Sequence, residues 1–273
     1  MKNIIVPCDF SKPSLEAARF AANIARQSNG HVTLFHTIAL PTLYDSSAIL
    51  AYEKSYMNET REKALTELQK VKSKYIGANV KTKVEVQFGD LLFQLKSQLK
   101  SGKYDLVVIG TTGASGLKEY TFGSNAEKVV RNSPVPVISV RKTPGEIENI
   151  VFPVRPDLDQ ESLTMEVKTL QNFFDAKLHL VFINTPAFFR RDTETVPQLE
   201  KFAKRFMLKN YTLNVFNDMS EEDGIINFSR MQHADMVAMR THGRKGLAHL
   251  GLGSIAEDVV NHIDCPIWTM KVK

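Results

Sequence analysis

Tyr104-Asp-Leu-Val-Val-Ile-Gly110 is an apolar run that closes on a glycine, and it leads through Gly113 to Gly123-Ser124. Such a run reads as a strand buried on both faces, and Ser124–Asn132 behind it has helical spacing. The pattern Gly113-x9-Gly123-Ser124-x2-Glu127-x-Val129-Val130 returns as Gly243-x9-Gly253-Ser254-x2-Glu257-x-Val259-Val260, an offset of 130. Asn3-Ile-Ile-Val-Pro7 returns as Asn149-Ile-Val-Phe-Pro153, an offset of 146, so the second copy is 16 residues shorter between these landmarks. The chain is one domain written twice.

Working outward from that strand, the first copy alternates strands and helices. Strands are expected at Ile4–Val6, His31–Ile38, Val80–Phe88, Tyr104–Gly110 and Val135–Val140. Helices are expected at Pro13–Arg26, Ser47–Tyr75, Asp90–Lys100 and Ser124–Asn132. The second copy repeats strands near 149–154, 178–183, 211–216, 235–240 and 266–271, and its missing residues are assigned to the second helix and its approach. A β-α-β alternation of this kind predicts an α/β fold: two tandem open, parallel five-stranded sheets with helices on both faces, Rossmann-like, joined by right-handed crossovers. Pro144 and Gly145 break the chain within a short linker at about Lys142–Glu146. The domains are therefore read as 1–143 and 144–273.

Length and composition agree. At 273 residues the chain suits two domains of roughly 150 residues each. With 43% hydrophobic and 24% charged residues it is a globular chain, not a disordered, collagen-like or coiled-coil one. No apolar run approaches the ~18 residues that a membrane span needs, and Asp9 interrupts the start, so neither a signal peptide nor a membrane anchor is expected. Two cysteines, Cys8 and Cys265, make no disulfide framework and fit a reducing cytoplasm. The histidines lack ligand spacing, so no metal is expected from the protein alone, and His36 in its apolar run reads as a hydrogen-bonded core residue. Residues 1–143 carry 20 Lys and Arg against 12 Asp and Glu, while residues 144–273 carry 15 against 18. A basic half can serve a polyanion or simply be a solvated lysine-rich surface. No zinc-finger, RNP or basic-helix motif supports nucleic-acid binding.

Ligands of an open parallel sheet bind beyond the carboxyl ends of its strands. Those ends carry Pro7-Cys8-Asp9, Thr37, and the loop from Gly110 to Gly123-Ser124-Asn125. Glycines admit backbone amides close to an anion, and a helix N-terminus adds its dipole. Asp9 is placed to accept from a ribose hydroxyl. Each residue has a structural reading as well: Ser124-x-x-Glu127 and Ser254-x-x-Glu257 are capping boxes, and Asp9 can cap the next helix together with Ser11.

Here the motifs become specific. Gly110-x2-Gly113-x9-Gly123-Ser124 after a buried strand, together with an aspartate after the first strand, resembles the nucleotide loop of the universal stress protein family. The resemblance recurs once per copy. It implies an ATP site, with or without Mg²⁺, formed by Asp9, Thr37, Gly110, Gly113, Gly123, Ser124 and Asn125. It also implies pairing through the last strand, either between the two copies or between two chains as a homodimer. The second copy departs from the pattern: Arg155 stands at the place of Asp9 and Arg240 at that of Gly110, while Gly243, Gly253 and Ser254 remain. It reads either as a lost nucleotide site or as a site for another anion, such as phosphate or a protein carboxylate; Glu221-Glu222-Asp223 is one candidate carboxylate.

Catalysis is not indicated. There is no GxxxxGK[ST] loop and no G-x-S-x-G elbow. A Rossmann dehydrogenase would place its glycines after the first strand, where Pro7-Cys8-Asp9-Phe10-Ser11 stands. The expected function is a cytoplasmic stress-response protein that binds ATP or a related adenine nucleotide in its first copy, as a sensor or adaptor. The alternatives are a ligand-free interaction scaffold and a slow ATPase.

Overall fold

A parallel strand covered on both faces needs apolar residues throughout, and Ile4, Ile5 and Val6 meet that demand with no exposure at all. The structure is a computed structural model that describes residues 1–39, 47–111, 123–156, 160–241, 259 and 261–271, with backbone only for 47–54. The chain divides into two compact units, one drawn from residues 1–141 and one chiefly from residues 142–273.

The first unit runs β1 (Asn3–Pro7), α1 (Lys12–Ser28), β2 (His31–Ile38), α2 (Ser47–Val71), β3 (Lys81–Phe88), α3 (Leu91–Lys100), β4 (Leu106–Gly110), α4 (Ser124–Asn132) and β5 (Val137–Val140). Its strands lie in the order β3-β2-β1-β4-β5, all parallel. The order reverses at β1, so a crevice opens between the carboxyl ends of β1 and β4. Helix α1 lies over β1 and β4 with Ala17, Ala18, Ala21, Ala22 and Ala25 buried, small side chains that let it approach closely.

The second unit runs β6 (Asn149–Pro153), α5 (Glu161–Phe174), β7 (Lys177–Asn184), α6 (Asp192–Arg205), β8 (Tyr211–Asn217), α7 (Glu221–Met231), β9 (Met236–Thr241) and β10 (Ile267–Lys271). The order β8-β7-β6-β9-β10 repeats the first sheet, again parallel. Trp268 on β10 is 2% exposed. Ile38 to Lys81 spans 43 positions and Asn184 to Tyr211 spans 27, so the shortening falls where expected, around the second helix.

Matched local devices hold the two copies. The Asp105 carboxylate accepts from the Lys2 and Asn3 amides at 2.9 and 3.2 Å, and the Asp235 carboxylate accepts from the Glu148 and Asn149 amides at 3.1 and 2.9 Å. Helices α1 and α5 both end on a left-handed residue, Asn29 (φ 50°) and Asp175 (φ 53°).

The expected helix Ser47–Tyr75 is α-helical only to Val71. It continues as a π turn over Lys72–Ile76 and closes with Gly77 N–H donating to Lys72 O at 3.0 Å. The wider turn ends with Ile76 buried, and Arg19 lies over the Tyr75 ring at 5.4 Å.

Candidate functional site

The crevice predicted by the strand order is present. A cavity of about 350 Å³ lies in the first unit, lined by the carboxyl-terminal residues of β1, β2 and β4, by residues just after β1 and by the first residues of α3 and α4. Its lining includes Asp9, Thr37, Gly110, Gly123, Ser124 and Asn125, so six of the seven residues named from the sequence meet in one place. Gly113 lies outside the described residues.

Asp9 sits on an unusual turn. Phe10, which follows it, has φ 66°, a left-handed conformation uncommon for a non-glycine and a mark of functional sites. The Phe10 ring packs on His36 at 4.7 Å, and His36 Nδ1 lies 2.7 Å from the Cys8 carbonyl oxygen. Asp9 Oδ1 accepts from the Ser11 amide at 3.0 Å and from the Ser11 hydroxyl at 2.5 Å. Ser11 is the N-cap of α1, accepting from the Ser14 amide at 3.4 Å. Asp9 therefore supports the cap from behind while its residue stays exposed at the cavity. The capping and ligand readings of Asp9 are thus compatible.

His36 is hydrogen-bonded as expected, but it is half-buried in the cavity wall and not in the core, which its place in an apolar run did not reveal. Cys8, Ser14 and Leu91 also line it. Cys8 is buried 3.8 Å from the Ser14 hydroxyl, and burial pushes its thiol up, so it is not poised as a nucleophile.

The glycine loop needs correction in two details. Gly110 has no room for a side chain, but its neighbour is protein: a Cβ there would lie 2.6 Å from the Pro13 carbonyl carbon and 2.7 Å from the Ser14 nitrogen. Its first task is to admit the first turn of α1. The Gly123 amide donates to Thr111 O at 2.7 Å and is already engaged. Gly123, not Ser124, is the N-cap of α4 and has no side chain to cap with, so Ser124 does not hold the position that the Ser124-x-x-Glu127 capping box requires. Ser124 and Asn125 stand inside the first turn, whose amides have no intrahelical acceptors. This first turn borders the cavity, and first-turn amides with the helix dipole suit an anion. None of the described lining residues is a lysine or arginine.

In the second unit Arg155 follows β6 and Arg240 lies near the end of β9. Arg155 Nη1 is 3.9 Å from Glu221 Oε2, at the first residue of α7. Burial pushes the Arg240 guanidinium down; Glu221 opposes that effect and Arg155 adds to it. Burial likewise raises the Glu221 carboxyl, with Arg155 and Arg240 pulling the other way. The two arginines thus share the field of a protein carboxylate, one of the partners the sequence allowed. Gly243, Gly253, Ser254 and its capping box lie outside the described residues.

A second cavity in the first unit, about 440 Å³, is lined by Asn3, His31, Lys81, Lys83, Lys103 and Tyr104 among others. It is larger, but it lies at the amino ends of the strands, where parallel sheets do not ordinarily place their ligands.

Residues 1–141 and 217–271 match the model of the universal stress protein family. The chain belongs to that family. A universal stress protein of Methanocaldococcus jannaschii is 31% identical over 147 residues, covering 53% of this chain and 85% of that protein. One from Synechocystis aligns with 99% of this chain and 100% of its own length at 20% identity, which matches a tandem arrangement. Among solved structures, a universal stress protein from Archaeoglobus fulgidus superposes with a TM-score of 0.76 at 18% identity over 98% of each chain. That likeness supports the fold read from the sequence. No helix among the described residues is long and apolar enough to cross a membrane.

Proposed function

We propose that the first unit binds ATP or a related adenine nucleotide, with or without Mg²⁺, and that the protein is a cytoplasmic stress-response sensor or adaptor with little or no catalysis. The observation that carries this reading is the meeting of Asp9, Thr37 and the first turn of α4 around one cavity at the strand switch point. Its volume of about 350 Å³ is in the range of small-ligand sites. The amides of Ser124 and Asn125 take the phosphates, Asp9 accepts from the ribose hydroxyls, and Thr37 borders the nucleoside. Low turnover is inferred from a described lining that offers one carboxylate and no cationic side chain to steady charge on a transferring phosphoryl group. Pairing of the two copies, or of two chains as a homodimer, belongs to the same reading and is checked by sedimentation.

The test is thermal unfolding of nucleotide-stripped protein with and without MgATP. Ligand at ~100 times its Kd adds about 2.7 kcal/mol to the folded state. The wild type is expected to gain this stabilisation and Asp9→Ala to lose most of it. Absence of a shift in both, at millimolar MgATP, would favour the ligand-free scaffold; release of phosphate over many turnovers would favour the ATPase.

A further inference from the structure

The larger cavity of the first unit gathers lysines around a hollow. About 440 Å³ in volume, it is lined by the side chains of Lys81, Lys83 and Lys103 and by no carboxylate. Strand register sets Lys81 beside His31 and Lys83 beside Thr33, and the two-residue period of a strand brings both lysines to one face. Lys103 joins them from the connection between α3 and β4. Lys83 is paired with Glu85 on its own strand. Among the described residues, Lys81 and Lys103 take part in no ion pair or side-chain hydrogen bond.

A second observation points into the same hollow. Thr33 lines it and is 7% exposed. Its hydroxyl oxygen accepts from the Tyr104 hydroxyl at 3.3 Å, so its own proton is left to give, and no described group accepts it. A buried donor left without an acceptor is costly, and an anion in the cavity supplies that acceptor. β3 is the outermost strand of the sheet, where lysines also deter edge pairing. That role accounts for neither Lys103 nor the Thr33 proton.

The second unit shows the same fold without these features. Sequence and register put Asn210, Thr212 and His233 where Lys81, Lys83 and Lys103 stand, and Ala234 where Tyr104 stands. Thr33 is replaced by His179, whose ring nitrogens lie 2.9 Å from the Thr212 hydroxyl and 3.1 Å from Asn149 Oδ1. That ring spends its polar atoms within the sheet. The lysines therefore belong to the first copy and are not a demand of the architecture.

We propose that this cavity binds a small, multiply charged anion of the phosphate class, held by Lys81, Lys83 and Lys103 and by the Thr33 hydroxyl. At the amino end of a parallel sheet the helices present their C-termini, whose partial negative charge opposes an anion, so side-chain cations must supply the field. Lysine suits the task as a compact point charge with three donors. The inference stands apart from nucleotide binding at the carboxyl end and does not require it.

Inorganic pyrophosphate without Mg²⁺ is the probe, titrated calorimetrically into the full chain at low salt. The wild type is compared with Lys81→Gln/Lys103→Gln, Lys81→Arg/Lys103→Arg and Lys63→Gln/Lys70→Gln. The last pair removes the same charge from exposed positions of α2. The cavity glutamines are expected to weaken pyrophosphate on the order of tenfold, the arginines to keep it, and the α2 pair to change it less than about twofold. Both cavity pairs remove the same native side chains, so a loss confined to the glutamines reads charge and not damage to the fold. Equal affinity in all four proteins, equal weakening by the cavity and α2 glutamines, or no binding by the wild type at millimolar pyrophosphate would overturn the site. Pyrophosphate taken up by the first turn of α4 is common to all four. The Asp9-dependent MgATP shift is expected in each, so failure here leaves that reading untouched.

Discussion

Gly110 lines the first-unit cavity, but its lack of a side chain answers to the protein first. From sequence this glycine reads as space for a phosphate, yet the space is taken by the backbone of Pro13 and Ser14. Gly110→Ala is therefore expected to cost about 1–3 kcal/mol in urea unfolding, with or without nucleotide, because the first turn of α1 must shift. Gly145→Ala is the control: a Cβ added there meets nothing within 4 Å, and stability should change by less than about 0.5 kcal/mol. Asp9, Thr37, Ser124 and Asn125 were legible because loop residues at strand ends announce themselves by type and spacing. His36 and Leu91 were not, since an apolar neighbourhood in sequence does not say which side chain borders a void. The engagement of the Gly123 amide was hidden for a similar reason, as its acceptor is a backbone carbonyl that leaves no trace in the residue code.

Among elements, β2 and α4 match the expected bounds, and most others shift by one to three residues where caps and fraying decide. The π turn after α2 had no sequence signal, because Lys72–Ile76 carries ordinary helical spacing. The ends of α1 and α5 give a sharper case. Asp175 occupies the left-handed cap that Asn29 fills in the first copy, and it puts a negative charge at the negative end of a helix. Asp175→Asn should raise stability by about 0.3–1 kcal/mol, read as a higher urea midpoint.

Strand β7 supplies a pH-dependent tie. His179 sits with Nδ1 2.9 Å from the Thr212 hydroxyl and Nε2 3.1 Å from Asn149 Oδ1, linking three strands of the second sheet. Burial pushes its imidazole below the usual 6.5. The unfolded chain then binds more protons than the folded one through that range, so stability rises with pH. Unfolding free energy should fall as the pH drops below about 6.5, and His179→Gln should flatten that slope. An equal slope in both proteins would remove His179 as its source.

At the scale of the whole molecule, duplication was the most legible feature, since repeated landmarks survive where single residues diverge. The alternation of elements announced a parallel sheet in each copy, whereas the strand order came only from the structure. Arg155 in the place of Asp9 and Arg240 in that of Gly110 were legible; what escaped was that Glu221 stands in the place of Leu91. Position 91 opens the helix before β4, and only the fold sets it at the same cavity as positions 9 and 110. Functionally the halves are expected to diverge, with adenine nucleotide stabilising the first unit alone.

That divergence can be read optically. The chain has one tryptophan, Trp268, and it lies in the core of the second unit. Its emission is a one-sided label, blind to melting confined to residues 1–141, whereas far-UV circular dichroism sums both halves. Saturating MgATP should therefore raise the dichroism midpoint more than the emission midpoint. Coincident shifts by both probes would mean that the two halves melt as one body, and a ligand held in either would then protect the other.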